Sequence, residues 1–187
     1  MRKLFFLSIL VILGTSPRGQ EKKSHYQFRT LHNIVLVNGS NSVSAALQSI
    51  AGVSRGPWFL GAGAGLDYYI YRTVPVFIDT RFEWGKTKNK YFIYADGGIN
   101  FSWLEEDLNG NPGIWGDHQY QDGIYTDAGF GYLIGMKNKD ALIISLGFSH
   151  KKLKETITYE DWRTREPLIE LHSYGLNRVM IKVGWRL

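Results

Sequence analysis

The chain closes on Arg178–Leu187, RVMIKVGWRL, and the alternation within these ten residues decides how the rest is read. Val179, Ile181, Val183, Trp185 and Leu187 are apolar at every second position, while Met180, Lys182, Gly184 and Arg186 interleave with them. A period of two puts the first set on one face of a strand and the second set on the other. The second face carries two full charges. That face therefore cannot simply face a hydrocarbon core.

Working back from this strand, seven more strand-like stretches follow the same rule. They fall at about Phe28–Val37, Val43–Ser54, Trp58–Tyr69, Val76–Trp84, Tyr91–Trp103, Ile124–Met136 and Ala141–Lys154. The connections at Asn38–Asn41, Arg55–Pro57, Tyr71–Pro75, Gly85–Lys90 and Lys137–Asp140 are short and rich in turn formers. Leu104–Gly123 and Glu155–Ser173 read as two long loops, and no helix of usual length is predicted. Counting from the N-terminus, the connections at Arg55–Pro57, Gly85–Lys90 and Lys137–Asp140 share the side of both termini. Both long loops fall on the opposite side. Short turns at one rim and long loops at the other are the arrangement of outer-membrane barrels, with both termini in the periplasm.

The faces carry the stronger argument. Val76, Ile78, Phe82 and Trp84 oppose Phe77, Asp79, Arg81 and Glu83; Leu142, Ile144, Leu146 and Phe148 oppose Ile143, Ser145, Gly147, Ser149 and Lys151. The strands at 58–69, 91–103 and 124–136 divide likewise, whereas the first two strands mix apolar and polar residues on both faces. Across the divided strands, Asp67, Asp79, Glu83, Asp96 and Asp127 fall on the same class of face as Arg81, Lys151, Arg178, Lys182 and Arg186. A soluble ligand-binding barrel would line its interior with the apolar set and wet the charged one. A membrane barrel inverts this, pairing charges across its lumen and turning the apolar face to lipid. The inward class also holds glycines (Gly61, Gly63, Gly65, Gly129, Gly131) that make room for Phe77, Tyr94 and Tyr125. Aromatics cluster near strand ends on the apolar face, at Trp58, Tyr68, Trp84, Tyr91, Trp103, Tyr132 and Trp185, as two interfacial girdles would. The predicted fold is all-β, an eight-stranded antiparallel up-and-down transmembrane β-barrel.

Composition agrees. The 187 residues include 21 glycines, 14% are aromatic, and there is no cysteine, which excludes disulfides and thiolate metal sites. Met1–Leu13 has a basic start at Arg2 and Lys3 and a largely apolar run, Leu4–Leu13, followed by Gly14, Thr15 and Ser16. Ten residues are too few for a spanning helix, so residues 1–19 are expected to be a cleaved secretory signal and 20–187 the barrel domain. Arg2, Lys3 and Arg18 contribute three of the positive charges behind the formal +5, and the remainder is nearly balanced. No basic stripe supports nucleic-acid binding.

These residues resemble the small Gram-negative outer-membrane β-barrel families, the eight-stranded type that includes the barrel domain of outer membrane protein A and the opacity-type proteins. The resemblance spans about Phe28–Leu187, as an architecture with weak motifs. Its most specific part is the end, where alternating hydrophobics and a terminal aromatic are read by the barrel-assembly machinery. Val179, Ile181, Val183 and Trp185 fit that signal, while Leu187 replaces the terminal Phe and the glycine sits at Gly184. The implied partners are the assembly machinery, outer-membrane lipid and lipopolysaccharide, and an external protein reached by the long loops.

Some eight-stranded barrels modify lipid A as deacylases or acyltransferases, and such a reading needs a catalytic pair on one face. Ser149 and His150 are adjacent on a strand and must point to opposite faces, which excludes a dyad. The deacylase pattern His-x-Ser-Asn is absent. Asp107-x-Asn109-x-Asn111 begins like a calcium loop, but Pro112 occupies the glycine position and His118 the glutamate position. No catalytic, cofactor or metal site is therefore expected. The aromatic residues Trp115, Tyr120, Tyr159 and Trp162 are the candidate loop contacts. The leading expectation is a non-enzymatic outer-membrane barrel with a structural, adhesive or partner-binding role. The alternatives are a lipid A-modifying enzyme or a soluble ligand-binding barrel.

Overall fold

The computed structural model describes residues 25–40, 42–70, 72–85, 88–103, 117–136, 140–160 and 167–187. The candidate signal peptide and two of the candidate loop contacts, Trp115 and Trp162, lie outside them. Among the described residues nine strands occur: β1 (Gln27–Gly39), β2 (Val43–Arg55), β3 (Trp58–Asp67), β4 (Thr73–Trp84), β5 (Lys90–Ser102), β6 (Asp117–Gln121), β7 (Gly123–Gly135), β8 (Ala141–Glu160) and β9 (Pro167–Arg186).

Eight of them close on themselves in the order β1-β2-β3-β4-β5-β7-β8-β9, every pair antiparallel. Closure is made by β9, which pairs β8 through Ala141↔Arg186 and β1 through Leu31↔Arg186. The seam ends in a reciprocal pair of backbone bonds between Thr30 and Leu187, at 3.1 and 2.9 Å. A closed sheet leaves no open edge, and its backbone groups pair within the wall along every strand boundary, with one break in the β3–β4 pairing between Ala64↔Val76 and Asp67↔Thr73.

The turn between β2 and β3 is the tightest. Gly56 takes φ 61° there, a conformation that costs glycine nothing, and Pro57 accepts a bond from the Glu83 amide at 2.7 Å. Gly85, which follows β4, also takes a positive φ, 144°.

Within the barrel wall the burial of side chains alternates. Phe59, Phe77, Phe92, Tyr94, Tyr125, Leu133 and Ile143 form one buried cluster, and Val35, Val37, Ala46, Tyr69 and Met180 form a second. Trp58, Leu60, Val76, Ile78, Ile93, Ile99, Phe130, Phe148, Ile181 and Val183 are exposed on the outside. The first two strands, whose faces the residue pattern leaves mixed, turn Leu31, Asn33, Val35 and Val37 inward from β1 and Ala46, Gln48 and Ile50 from β2.

The structure departs from the sequence reading beyond the far rim. Most of Glu155–Ser173, read as a loop, is strand: β8 runs on to Glu160 and β9 begins at Pro167, in unbroken register from Lys151↔Leu176 to Glu160↔Pro167. Asp117–Gln121, read as part of the other loop, adds β6 along β8 through Asp117↔Thr158 to Gln121↔Lys154. A three-stranded ribbon therefore extends past the last barrel pairings, Tyr125↔Lys151 and Gly39↔Arg178. At about 3.3 Å per residue, the nine β8 residues after Lys151 add roughly 30 Å of strand. Likewise Thr73–Pro75, read as turn, is the first part of β4.

Candidate functional site

The inward charges stack in three layers. Nearest the termini, Glu83 on β4 accepts Arg186 Nη1 at 2.9 Å, Arg29 Nη1 at 3.3 Å and Lys90 Nζ at 3.1 Å. One carboxylate thus meets three cations brought from β9, β1 and β5.

The middle layer is a row of carboxylates. Asp79, Asp96 and Asp127 are consecutive cross-strand partners on β4, β5 and β7. Arg81 clamps Asp79 with Nε at 2.9 Å from Oδ1 and Nη2 at 2.7 Å from Oδ2. Its guanidinium lies 5.3 Å from the Phe92 ring centre and 5.6 Å from that of Tyr94. Lys182 donates to Asp127, lies 3.6 Å from Asp96 and sits 4.3 Å above the Tyr94 ring. Asp127 also accepts from the hydroxyls of Tyr94 at 3.1 Å and Tyr125 at 3.3 Å, and Gln48 Nε2 donates to Tyr125 Oη at 3.0 Å.

Toward the far rim, Asp67 receives Arg178 and, at 3.3 Å, Lys151. Lys151 also donates to Thr73 Oγ1 at 2.9 Å and Tyr69 O at 3.4 Å, and Arg178 Nη2 donates to Ser149 Oγ at 2.8 Å. Asp67, Asp79, Arg81, Glu83, Asp96, Asp127, Arg178, Lys182 and Arg186 are all buried and lie within ion-pair distance of one another. Charges buried this deeply depend on their ion pairs, and Asp96, buried with Lys182 at 3.6 Å and neither oxygen hydrogen-bonded, is the least satisfied of them.

Several partners escaped the sequence reading. Arg29 lies on a strand of mixed faces, and Lys90 reads as a turn lysine although it opens β5 on the inward face. Glu155 reads as a loop charge, yet it is buried on β8 and accepts from Tyr174 Oη at 2.8 Å. Parity counted along β5 from Phe92 would have marked Lys90.

Ser149 and His150 diverge: Ser149 is in the lumen under Arg178, and His150 Nδ1 is 2.7 Å from Asn177 Oδ1 outside. Among the described residues no group of three or more His, Cys, Asp or Glu could hold a metal ion. Of the candidate loop contacts, Tyr120 belongs to β6 and Tyr159 to β8, opposite Glu155 and Leu168 respectively.

The outer wall has two aromatic levels. On the terminus side Trp58, Phe82, Trp84, Tyr91 and Tyr132 form a continuous chain, with ring centres 4.8, 6.0, 6.2 and 4.9 Å apart. At the far rim Arg72 lies between Tyr68 and Trp103, 5.7 and 5.8 Å from their rings. Between these levels Val179, Ile181 and Val183 face outward on the closing strand, with Trp185 and Leu187 following toward the end of the chain.

This inverted, closed barrel has the architecture of the small eight-stranded barrels of outer-membrane proteins. It is similar to the crystal structure of Neisserial surface protein A, with a TM-score of 0.57 at 9% identity, covering 87% of this chain and 96% of that one. The N-terminal β-barrel domain of Pseudomonas aeruginosa OprF aligns with a TM-score of 0.53 at 10% identity, over 87% of this chain and all of that one. Outer membrane protein AlkL, solved in DMPC lipid bilayers, aligns at 0.52 and 10% identity, over 92% and 94% of the two chains. Identities this low speak for the fold alone. No family model and no curated protein matches the sequence.

Proposed function

We propose that the chain is an outer-membrane barrel whose task is structural and partner-binding rather than enzymatic, with the β6–β8–β9 ribbon as the part that meets an external partner. The inversion of the wall carries the first half. Outward residues form an apolar belt bounded by aromatic levels, while the charges are sealed inside, and this is the pattern that lipid selects. A soluble calyx needs an apolar cavity, and here the interior is occupied by ion pairs and aromatic rings.

The ribbon carries the second half. It rises from the rim opposite the termini, so a wall with periplasmic termini exposes it outside the cell. Its outer face presents Ile169 and Leu171, 61% and 73% exposed, on a strand that no lipid belt covers in this placement. Alkaline carbonate extraction tests the membrane half: the protein stays with the membrane, and release without detergent would overturn it. Protease added to intact cells tests the orientation. Cleavage within 155–173 is expected, and cleavage confined to Gly85–Lys90 would reverse it.

A further inference from the structure

On the lipid-facing wall, a polar pair near the terminus-side aromatic level lies within the apolar belt. His32 on β1 and Ser49 on β2 are direct cross-strand partners, and Ser49 Oγ lies 3.1 Å from His32 Nδ1. The His32 ring packs 5.6 Å from Trp185, the aromatic next along the wall on β9. Beside the pair the wall is concave, where Ser49 faces Ala64 across β2 and β3 and where Gly65 and Leu66 lie beside Val74 in a break of the β3–β4 pairing. Leu47, Leu66, Val74 and Ile34 stand around this floor and enclose a groove of about 460 Å³. That volume falls within the roughly 300–1,000 Å³ of small-molecule sites, and an apolar groove with a few convergent polar groups is the usual form of one.

The hydrogen-bond count says what is missing. Neutral imidazole carries one N–H and Ser49 one O–H. Their mutual bond uses one of these donors, whichever tautomer His32 adopts, and the other remains to be satisfied from outside. An unsatisfied donor in hydrocarbon is costly, and an ionisable residue facing lipid calls for a partner. The occupant must supply a hydrogen-bond acceptor at the depth of Trp185 and an apolar chain running away from it. In a bilayer, an ester carbonyl at the interface attached to an acyl chain meets both requirements.

We propose that this groove binds one glycerophospholipid from the leaflet on the side of the chain termini, its ester carbonyl accepting from the His32–Ser49 pair and its acyl chain lying over Ala64. The proposal rests on the membrane placement above. The test uses the full chain purified in detergent and exposed to palmitoyl-oleoyl phosphatidylethanolamine or its diether analogue, which lacks ester carbonyls, with retained lipid read by native mass spectrometry. The parent is expected to retain one ester lipid per barrel. The diether analogue and the H32F/S49A double variant should each lower occupancy about tenfold, the equivalent of one lost hydrogen bond in a dry site. A64L, which fills the groove and leaves the polar pair intact, should do the same. Heat-modifiable electrophoretic mobility shows that each variant is folded. Equal retention of the diether lipid, or a folded double variant holding lipid as the parent does, overturns the site. Release of the parent by alkaline carbonate would instead overturn the membrane placement itself.

Discussion

Arg186 Nη1 and Glu83 Oε1 meet at 2.9 Å across the lumen although 103 residues separate them in the chain. Glu83 gathers Arg29 and Lys90 as well, so three cations depend on one carboxylate. Glu83→Gln strands all three. Breaking a buried pair by removing one partner costs about 3–5 kcal/mol, and exposure of Lys90 and Arg29 to the rim places this case at the lower end. The urea midpoint of the barrel in detergent micelles or vesicles should fall accordingly. An unchanged midpoint would mean that the terminus-side layer is solvated.

The pair Asp67–Arg178 spans β3 and β9 under the far rim. Asp67→Asn should destabilise by about 3 kcal/mol or more, because it leaves Arg178 and Lys151 buried without their carboxylate, whereas Arg178→Met leaves Asp67 paired with Lys151 and should cost less. The double variant should be less destabilised than the sum of the two, since it leaves only Lys151 without its carboxylate, where Asp67→Asn alone strands Arg178 as well. A double-mutant cycle on unfolding midpoints measures the difference. Strict additivity would rule out direct coupling.

Adjacent glycines on β5 separate lumen from lipid. A Cβ on Gly98 would lie 2.0 Å from Val76 O and 2.6 Å from Phe77 Cα, both backbone atoms, whereas a Cβ on Gly97 meets nothing within 4 Å. Gly98→Ala should therefore cost about 1–3 kcal/mol by forcing β4 and β5 apart. Gly97→Ala should be neutral or stabilising by up to about 1 kcal/mol, through reduced freedom of the unfolded chain. Unfolding midpoints of the two variants in one lipid decide the matter.

The ribbon is separable from the barrel. Replacing Glu155–His172 by Asn-Gly would join Lys154 to its existing cross-strand partner Ser173 through a two-residue hairpin turn. The barrel pairings below Lys151↔Leu176 stay intact, so heat-modifiable mobility should be retained while binding to any external partner is lost. Loss of the folded band would show instead that the ribbon helps hold the wall together.

The end of the chain is expected to direct assembly. Changing both Trp185 and Leu187 to Ser removes two outward apolar groups next to the seam and leaves the inward Arg186–Glu83 pair in place. The fraction of protein recovered in the outer membrane should drop several-fold. Normal recovery would remove the assembly role from this segment.

The alternation of RVMIKVGWRL, and of the strands at 58–69, 76–84, 91–103, 124–136 and 141–154, was enough to say which side chains share a face. Side-chain direction along a strand is local geometry with a fixed period of two, so it is written residue by residue. The charged residues in one face class then made that face the lumen. Strands β1 and β2 resisted this reading because Ser44, Ser49, Ser54, Asn33 and Gln48 are small or neutral and tolerate either side. Only closure of the sheet could assign them, by turning Gln48 toward Tyr125 and Ser49 toward His32. Partner choice within the lumen was equally out of reach. Whether Lys182 meets Asp127 or Asp79 depends on stagger around eight strands, a property of the closed ring rather than of any one strand. The ribbon at 155–173 was read as loop for a related reason. Above the rim there is no lipid to demand an apolar face, so its strands lose the alternation and are held by their pairing with one another.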